Sequence, residues 1–280
     1  MLTVDVEDYY SLVARDKLGV EVPVSEQLDR EMEYLLDLID ELEVRATCFV
    51  VGKVAEDRPQ IVREIVARGH EIASHTFDHR LMDAHTPRSF KQDLTRSIRV
   101  LEDVASAPIH GFRAPAFSLG ERHRWAFQIM AEAGIRYDSS VRIVWPWGRE
   151  RGQAMIDAAR ACGIEEIPGF AMGWGRFRAP LAGGGGLRHL PAAVNRRAVA
   201  QVRRAGFGIP IYIHPYDLSI SRPEVKWPVA SLVQRIRCAV FDRLQRRGRS
   251  KVAAQLPELL RLSSLEERPS VPEVGSPNWK

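Results

Sequence analysis

Seven short apolar runs, beginning at Thr3, Ala46, Glu71, Gly111, Ile135, Ile164 and Ile209, alternate mostly with segments of helical periodicity. This alternation constrains the fold most, because parallel neighbouring strands need long crossovers and a helix is the usual one. Ala46 to Val51 is continuously apolar, as expected of a strand covered on both faces of a parallel sheet. Leu28, Met32, Leu35, Ile39 and Leu42 recur at helical spacing and predict a helix capped by Ser25 and running to about Glu43. Pro59 opens a second helix that Gly69 closes, and Thr86-Pro87 opens a third bearing Phe90, Leu94, Ile98 and Leu101. The expectation is an α/β fold, either a parallel barrel or an open doubly wound sheet. At 280 residues with 45% hydrophobic composition, one large domain accommodates it.

In both architectures function gathers at the carboxyl ends of the strands, and ionisable residues collect there in this chain. His75 and His79, four apart in Ser74-His75-Thr76-Phe77-Asp78-His79, converge if the backbone completes about one turn, and neutral imidazoles are ligands for zinc and its first-row neighbours. The first strand ends in Asp5, Glu7 and Asp8. Three carboxylates so close repel one another unless a cation or an arginine sits among them. Arg113, within the otherwise apolar Gly111 to Phe117, is either a loop arginine at the surface or a buried guanidinium that fixes a carboxylate. The apolar run from Ile209 delivers His214 at its end. Trp145 and Trp147 lie in a loop, where they either stack on sugar rings or pack the loop on itself.

Other patterns exclude chemistry. His70-Glu71 followed by His75 imitates a helical metalloprotease signature, but histidines five apart diverge on a helix. Gly183 to Gly186, inside a long irregular stretch from Gly169 to Pro191, lacks the residues of a phosphate-binding loop and reads as a flexible segment or lid. Cys48, Cys162 and Cys238 are too scattered for a disulfide framework or a thiolate zinc site, which suits a reducing compartment. No signal-peptide pattern precedes the acidic strand, so the expected location is cytoplasmic. The net charge of +4 is concentrated between Arg235 and Lys251. No nucleic-acid-binding motif accompanies it, and peripheral contact with an anionic membrane through Arg243, Arg246, Arg247 and Arg249 is the partner it suggests, against the plainer reading of a solvated helix face.

Five segments, in order, resemble the motifs of polysaccharide deacetylases of the NodB-homology type (carbohydrate esterase family four): Thr3 to Asp8, Ser74 to His79, Arg113 to Ala116, Asp138 to Ser140, and Ile213 to Pro215. The resemblance covers residues 1 to about 216, and the second and fifth motifs are its most specific parts. It implies a distorted (β/α) barrel of about seven parallel strands with a C-terminal helical extension. The boundaries that follow are a catalytic domain at 1–225, a basic helical extension at 226–267 and a disordered tail at 268–280. The extension is similar to that of deacetylases found with bacterial exopolysaccharide gene clusters.

The resemblance further implies one divalent ion, Zn2+ first with Co2+, Ni2+ or Mn2+ as alternatives, held by His75, His79 and an acid. It implies Asp5 as general base, His214 as general acid, Arg113 as the tether of Asp5, and a backbone N–H near Ala116 facing the oxyanion. The reaction would be removal of N-acetyl groups from the amino sugars of a polysaccharide or its precursor. This chain departs from the family in its first motif, where two adjacent aspartates are usual and Val6 intervenes here. Strand alternation favours Glu7 as the acidic ligand, with Asp8 as the alternative. Relatives with an acid-x-acid motif act on other amides, so a small amide, an imide or a lipid-linked formamido or acetamido sugar stays open as substrate. So does a non-catalytic carbohydrate-binding role, which would not require Asp5 and His214.

Overall fold

The computed structural model describes residues 1–174, 177–219 and 231–264. The strands are β1 (Leu2–Val6), β2 (Ala46–Val50), β3 (Glu71–Ser74), β4 (Gly111–Phe112), β5 (Tyr137–Asp138), β6 (Arg142–Trp145), β7 (Glu165–Glu166), β8 (Gly169–Trp174), β9 (Phe177–Leu181) and β10 (Ile211–Ile213). The first helices are α1 (Tyr9–Val13), α2 (Gln27–Glu41), α3 (Gly52–Asp57), α4 (Pro59–Ala67), α5 (Pro87–Ala105) and α6 (Trp125–Glu132). They are followed by α7 (Arg149–Ala161), α8 (Gly184–His189), α9 (Ala192–Arg204), α10 (Pro215–Leu218), α11 (Leu232–Arg246) and α12 (Ser250–Ser264). None of these helices is long and apolar enough to cross a membrane.

Seven strands form one parallel sheet in the order β10-β1-β2-β3-β4-β5-β7, a curled, distorted (β/α) barrel. These are the seven apolar runs of the sequence. Strand β1 lies between β10 and β2, and every residue of β1 and β2 is buried. Helix α2 covers the sheet with Leu28, Met32, Leu35, Leu36 and Ile39, a stripe at helical spacing. Ser25 does not cap it. Its hydroxyl donates to Asp8 Oδ1 at 2.7 Å, and the residue before the helix offers no side-chain cap. Because all seven strands run the same way, Glu7, His75, Arg113, Ser139 and His214 follow five strand ends at one mouth of the barrel.

The described residues of the stretch read as a flexible loop form strands and a short helix. Strand β8 pairs parallel with β6 and antiparallel with β9 to form a second, three-stranded sheet. The glycine run marks close approaches between backbone and neighbours. A Cβ at Gly183 would lie 1.9 Å from the Tyr212 ring, and one at Gly184 would lie 2.1 Å from Asp217 Oδ2.

Beyond α11 the chain docks on the barrel. Val252, Leu256, Leu259 and Leu260 of α12 are buried against a core shared with α8 and α9, and the amino terminus reaches Ser263 Oγ at 3.2 Å. Of the four arginines expected at the surface, Arg243 and Arg247 are exposed and the other two are engaged. Arg249 is buried and donates to the Ser219 carbonyl at 3.2 Å, while Arg246 pairs with Asp242 at 2.8 Å. The 225/226 boundary, Trp227 and the 268–280 tail lie outside the described residues.

Candidate metal centre and active site

Strand β1 sends Asp5 and Glu7 to the same side, as its alternation requires. The Glu7 carboxylate meets two imidazoles there, with Oε2 2.6 Å from His79 Nε2 and 3.8 Å from His75 Nε2. One ligand atom from each of the three residues falls within 4.8 Å of the others. His75 is fully enclosed, and its Nδ1 donates to the Arg113 carbonyl at 2.7 Å. This leaves a lone pair on Nε2, which has no hydrogen-bond partner among the described residues. Burial brings His75 down to about 4, so the ring is neutral, as a ligand must be. Burial opposes ionisation of Glu7, yet His79, through its charge and hydrogen bond, and the charge of His214 outweigh it and hold the carboxyl far below the usual range. A carboxylate, two inward imidazoles and an orphaned buried nitrogen fit a divalent cation.

Asp8 does not join them. Its Oδ2 accepts from Ser11 N and Ser25 N, each at 3.0 Å, so it caps α1 and ties that helix to the segment before α2. The sharp loop that bears the histidines carries left-handed backbone at Thr76 (φ 62°) and His79 (φ 53°), neither of them glycine. Helix α5 holds this loop from behind. Asp93 accepts from Phe77 N at 2.8 Å and Asp78 N at 3.4 Å, and Ser97 donates to the Thr76 carbonyl at 3.2 Å. Arg15 grips the other side through the Asp78 and His79 carbonyls.

Arg113 is wholly buried, and its Nη1 lies 2.5 Å from Asp5 Oδ1. The same nitrogen reaches Thr3 Oγ1 at 3.0 Å, while Nη2 and Nε reach the hydroxyl and carbonyl of Ser139 at 2.9 and 3.2 Å. The guanidinium also lies 4.0 Å over the Phe49 ring. Every side of the cation is therefore occupied, and Asp5 cannot turn away from it without leaving a buried charge uncompensated.

His214 closes the site from β10. Its Nε2 lies 3.9 Å from Asp5 Oδ2 and 3.8 Å from Glu7 Oε1, while Nδ1 donates to Asp217 Oδ2 at 2.7 Å. Asp217 also accepts the His214 backbone N–H at 3.0 Å and pairs with buried Arg188 at 3.0 Å. Burial would lower the imidazole, but the Asp217 carboxylate, with Glu7 and Asp5 beyond it, overrides burial and raises it to about 9. Tyr216 stacks on the ring at 4.7 Å and donates to Glu7 Oε1 at 3.1 Å.

Ala116 is exposed in the loop after β4, with left-handed backbone at φ 53°. Trp145 is half-buried in β6, edge-on to Phe170 and Phe207, so it packs its own sheet. Trp147 is 75% exposed. Sequence reasoning passed over Asp217, Arg188, Tyr216 and Asp93. Asp217 carried a signal, since an acid three residues after a helix-capping position commonly reaches back to it. Asp138 and Glu166, on neighbouring strand ends behind Arg113, were not linked either. Burial raises both carboxyls, and the neighbouring Asp138 charge raises Glu166 further.

Comparison with known proteins agrees with this geometry. Residues 27–137, which include His75, His79 and Arg113, match the polysaccharide deacetylase family, and residues 145–254 match a domain of unknown function (DUF3473). A chitooligosaccharide deacetylase of Sinorhizobium fredii (strain NBRC 101917 / NGR234) is 38% identical over 136 residues, 45% of this chain and 58% of that protein. A peptidoglycan-N-acetylglucosamine deacetylase of Bacillus cereus is 24% identical over 116 residues, 41% of this chain and 50% of that protein. The chain thus spans about half the length of these curated relatives. A solved structure from Mycobacterium smegmatis, provisionally classed as a polysaccharide deacetylase, shares the fold with a TM-score of 0.54 at 20% identity, covering 98% of this chain and 93% of that one. Residues 27–137 of the chain are therefore similar to the polysaccharide deacetylase domain.

Proposed function

We propose that this protein hydrolyses N-acetyl groups from N-acetylglucosamine-containing saccharides with the help of one divalent ion held by Glu7, His75 and His79. The observation that carries the reading is the meeting of Asp5 and His214 Nε2, 3.9 Å apart, beside the three-ligand group. A base and an acid stand side by side there. When bound, the ion supplies Lewis acidity to a water molecule and to the amide carbonyl. A donor set of two imidazoles and one carboxylate with room for a further ligand suits zinc.

The chain's own residues divide the proton transfers. Asp5, held by Arg113, accepts a proton from the water that attacks the acetyl carbon. His214, charged at neutral pH through Asp217, returns a proton to the nitrogen as the C–N bond breaks, and acetate and a free amine leave. Support for an N-acetylglucosamine substrate comes from the relatives, named for chitooligosaccharide and peptidoglycan. The exopolysaccharide reading rests on the C-terminal extension alone. The test is acetate release from N-acetylglucosamine oligomers beside a cyclic imide and a formamido sugar, with and without chelator. Chelator-sensitive acetate release from the oligomers supports the proposal. Turnover of the imide alone, or oligomer binding with no amine released, overturns it.

A further inference from the structure

Helix α11 presents its apolar stripe to the outside. Leu232, Val233, Ile236 and Val240 are 72%, 64%, 55% and 54% exposed, and at 3.6 residues per turn they fall within one arc of about 100°. Cys238 and Asp242, on the opposite side, face the body of the protein and are buried. Arg243 continues the apolar face one turn beyond Val240, Arg237 borders it, and Arg235 and Arg247 are exposed as well. From Leu232 to Lys251 the chain has a single acid, Asp242, and it is turned inward. The outward surface is therefore both apolar and cationic.

From this combination we infer that α11 seats the protein on an anionic lipid surface, with the four aliphatic side chains entering the headgroup boundary and the arginines meeting lipid phosphates. Charge complementarity selects this occupant. A second copy packing stripe to stripe would bring its own arginines against Arg237 and Arg243, whereas an anionic interface satisfies both halves of the surface. On its inner side Asp242 lines a small cavity with Asp8 and Tyr9. The segment lies in the region that matches a domain of unknown function.

The test is flotation of the full chain with vesicles of phosphatidylcholine mixed with phosphatidylglycerol, and with vesicles of phosphatidylcholine alone. The wild type is expected to float with the mixed vesicles only, and less as salt rises. Arg237→Gln with Arg243→Gln should weaken binding about 25-fold, taking about fivefold per arginine near the surface. Val233→Gln with Ile236→Gln should weaken it at least about tenfold, with an unchanged thermal midpoint. Equal binding to the neutral vesicles, or wild-type binding by both variants, overturns the inference. So does a wild-type dimer that Val233→Gln with Ile236→Gln dissolves without any vesicle binding. A lowered midpoint in that variant also overturns it, because another part of the chain would then cover the stripe.

Discussion

Asp217→Asn separates the charge on His214 from the rest of the site. Asp217 is fully buried and lies 2.7 Å from His214 Nδ1, on the side of the ring away from Asp5 and Glu7. Asparagine keeps the shape and an acceptor oxygen but removes the negative charge. A hydrogen bond between charged partners contributes about 1.5–3 kcal/mol, and one pKa unit corresponds to about 1.36 kcal/mol. His214 should therefore fall from about 9 to roughly 7–8. The alkaline limb of the pH–rate profile moves acidward by one to two pH units, roughly. Acetate release near pH 8.5 should drop about 3- to 25-fold, while the rate near pH 6 stays within a few-fold. The stability contribution has the same sign. A raised histidine contributes fully below its ordinary value of about 6.5, and that contribution is lost as pH rises through about 9. The variant should therefore lose stability at neutral pH and approach the wild type under alkaline conditions. An alkaline limb left in place, or an equal loss of rate at every pH, would refute the assignment of Asp217 as the group that holds His214 protonated.

Three further outcomes test the surroundings of the site. Glu7→Gln should reduce metal content measured by elemental analysis far more than Asp8→Asn, because Asp8 is engaged with Ser11 and Ser25; the reverse order would move the ligand to Asp8. Asp93→Ala strands the amides that shape the histidine loop and should weaken metal affinity about 10- to 100-fold by calorimetric titration, whereas an unchanged affinity would show that the loop holds itself. Glu166→Gln removes a carboxyl whose raised pKa costs stability as pH climbs above the usual carboxylate range. Thermal unfolding should show the variant gaining on wild type by up to about 1.4 kcal/mol per pH unit within that window, and parallel curves would argue against a raised Glu166 carboxyl.

The parallel sheet was legible because its signal is local. Each of the seven runs is apolar over a few residues, and the helix stripe from Leu28 to Ile39 shows its face by spacing alone. The meeting of Asp5, Glu7, His75, Arg113 and His214 also followed, since parallel strands bring their carboxyl ends to one mouth. Glycine misled the reading between Gly169 and Pro191. The same residue that permits flexibility also permits a backbone to approach a ring or a carboxylate, and only the neighbours, Tyr212 and Asp217, distinguish the two. Partners distant in sequence were hidden for a related reason. Arg188 reaches Asp217, and Glu166 lies beside Asp138, across pairings that no periodicity reports. The arginines of the C-terminal helices looked alike in the sequence. Tertiary packing alone turned Arg249 inward and left Arg237 and Arg243 outside.

The central claim, that Asp5 acts as base beside a bound ion, is tested most directly by measuring acetate release and metal content together in Asp5→Asn. Asparagine retains a partner for Arg113 and leaves Glu7, His75 and His79 in place, so metal content should equal that of wild type. The rate should fall about 10²–10⁴-fold, the usual contribution of a positioned base. A variant that keeps its metal and fold and still releases acetate within a few-fold of wild type would contradict the account and place the base elsewhere.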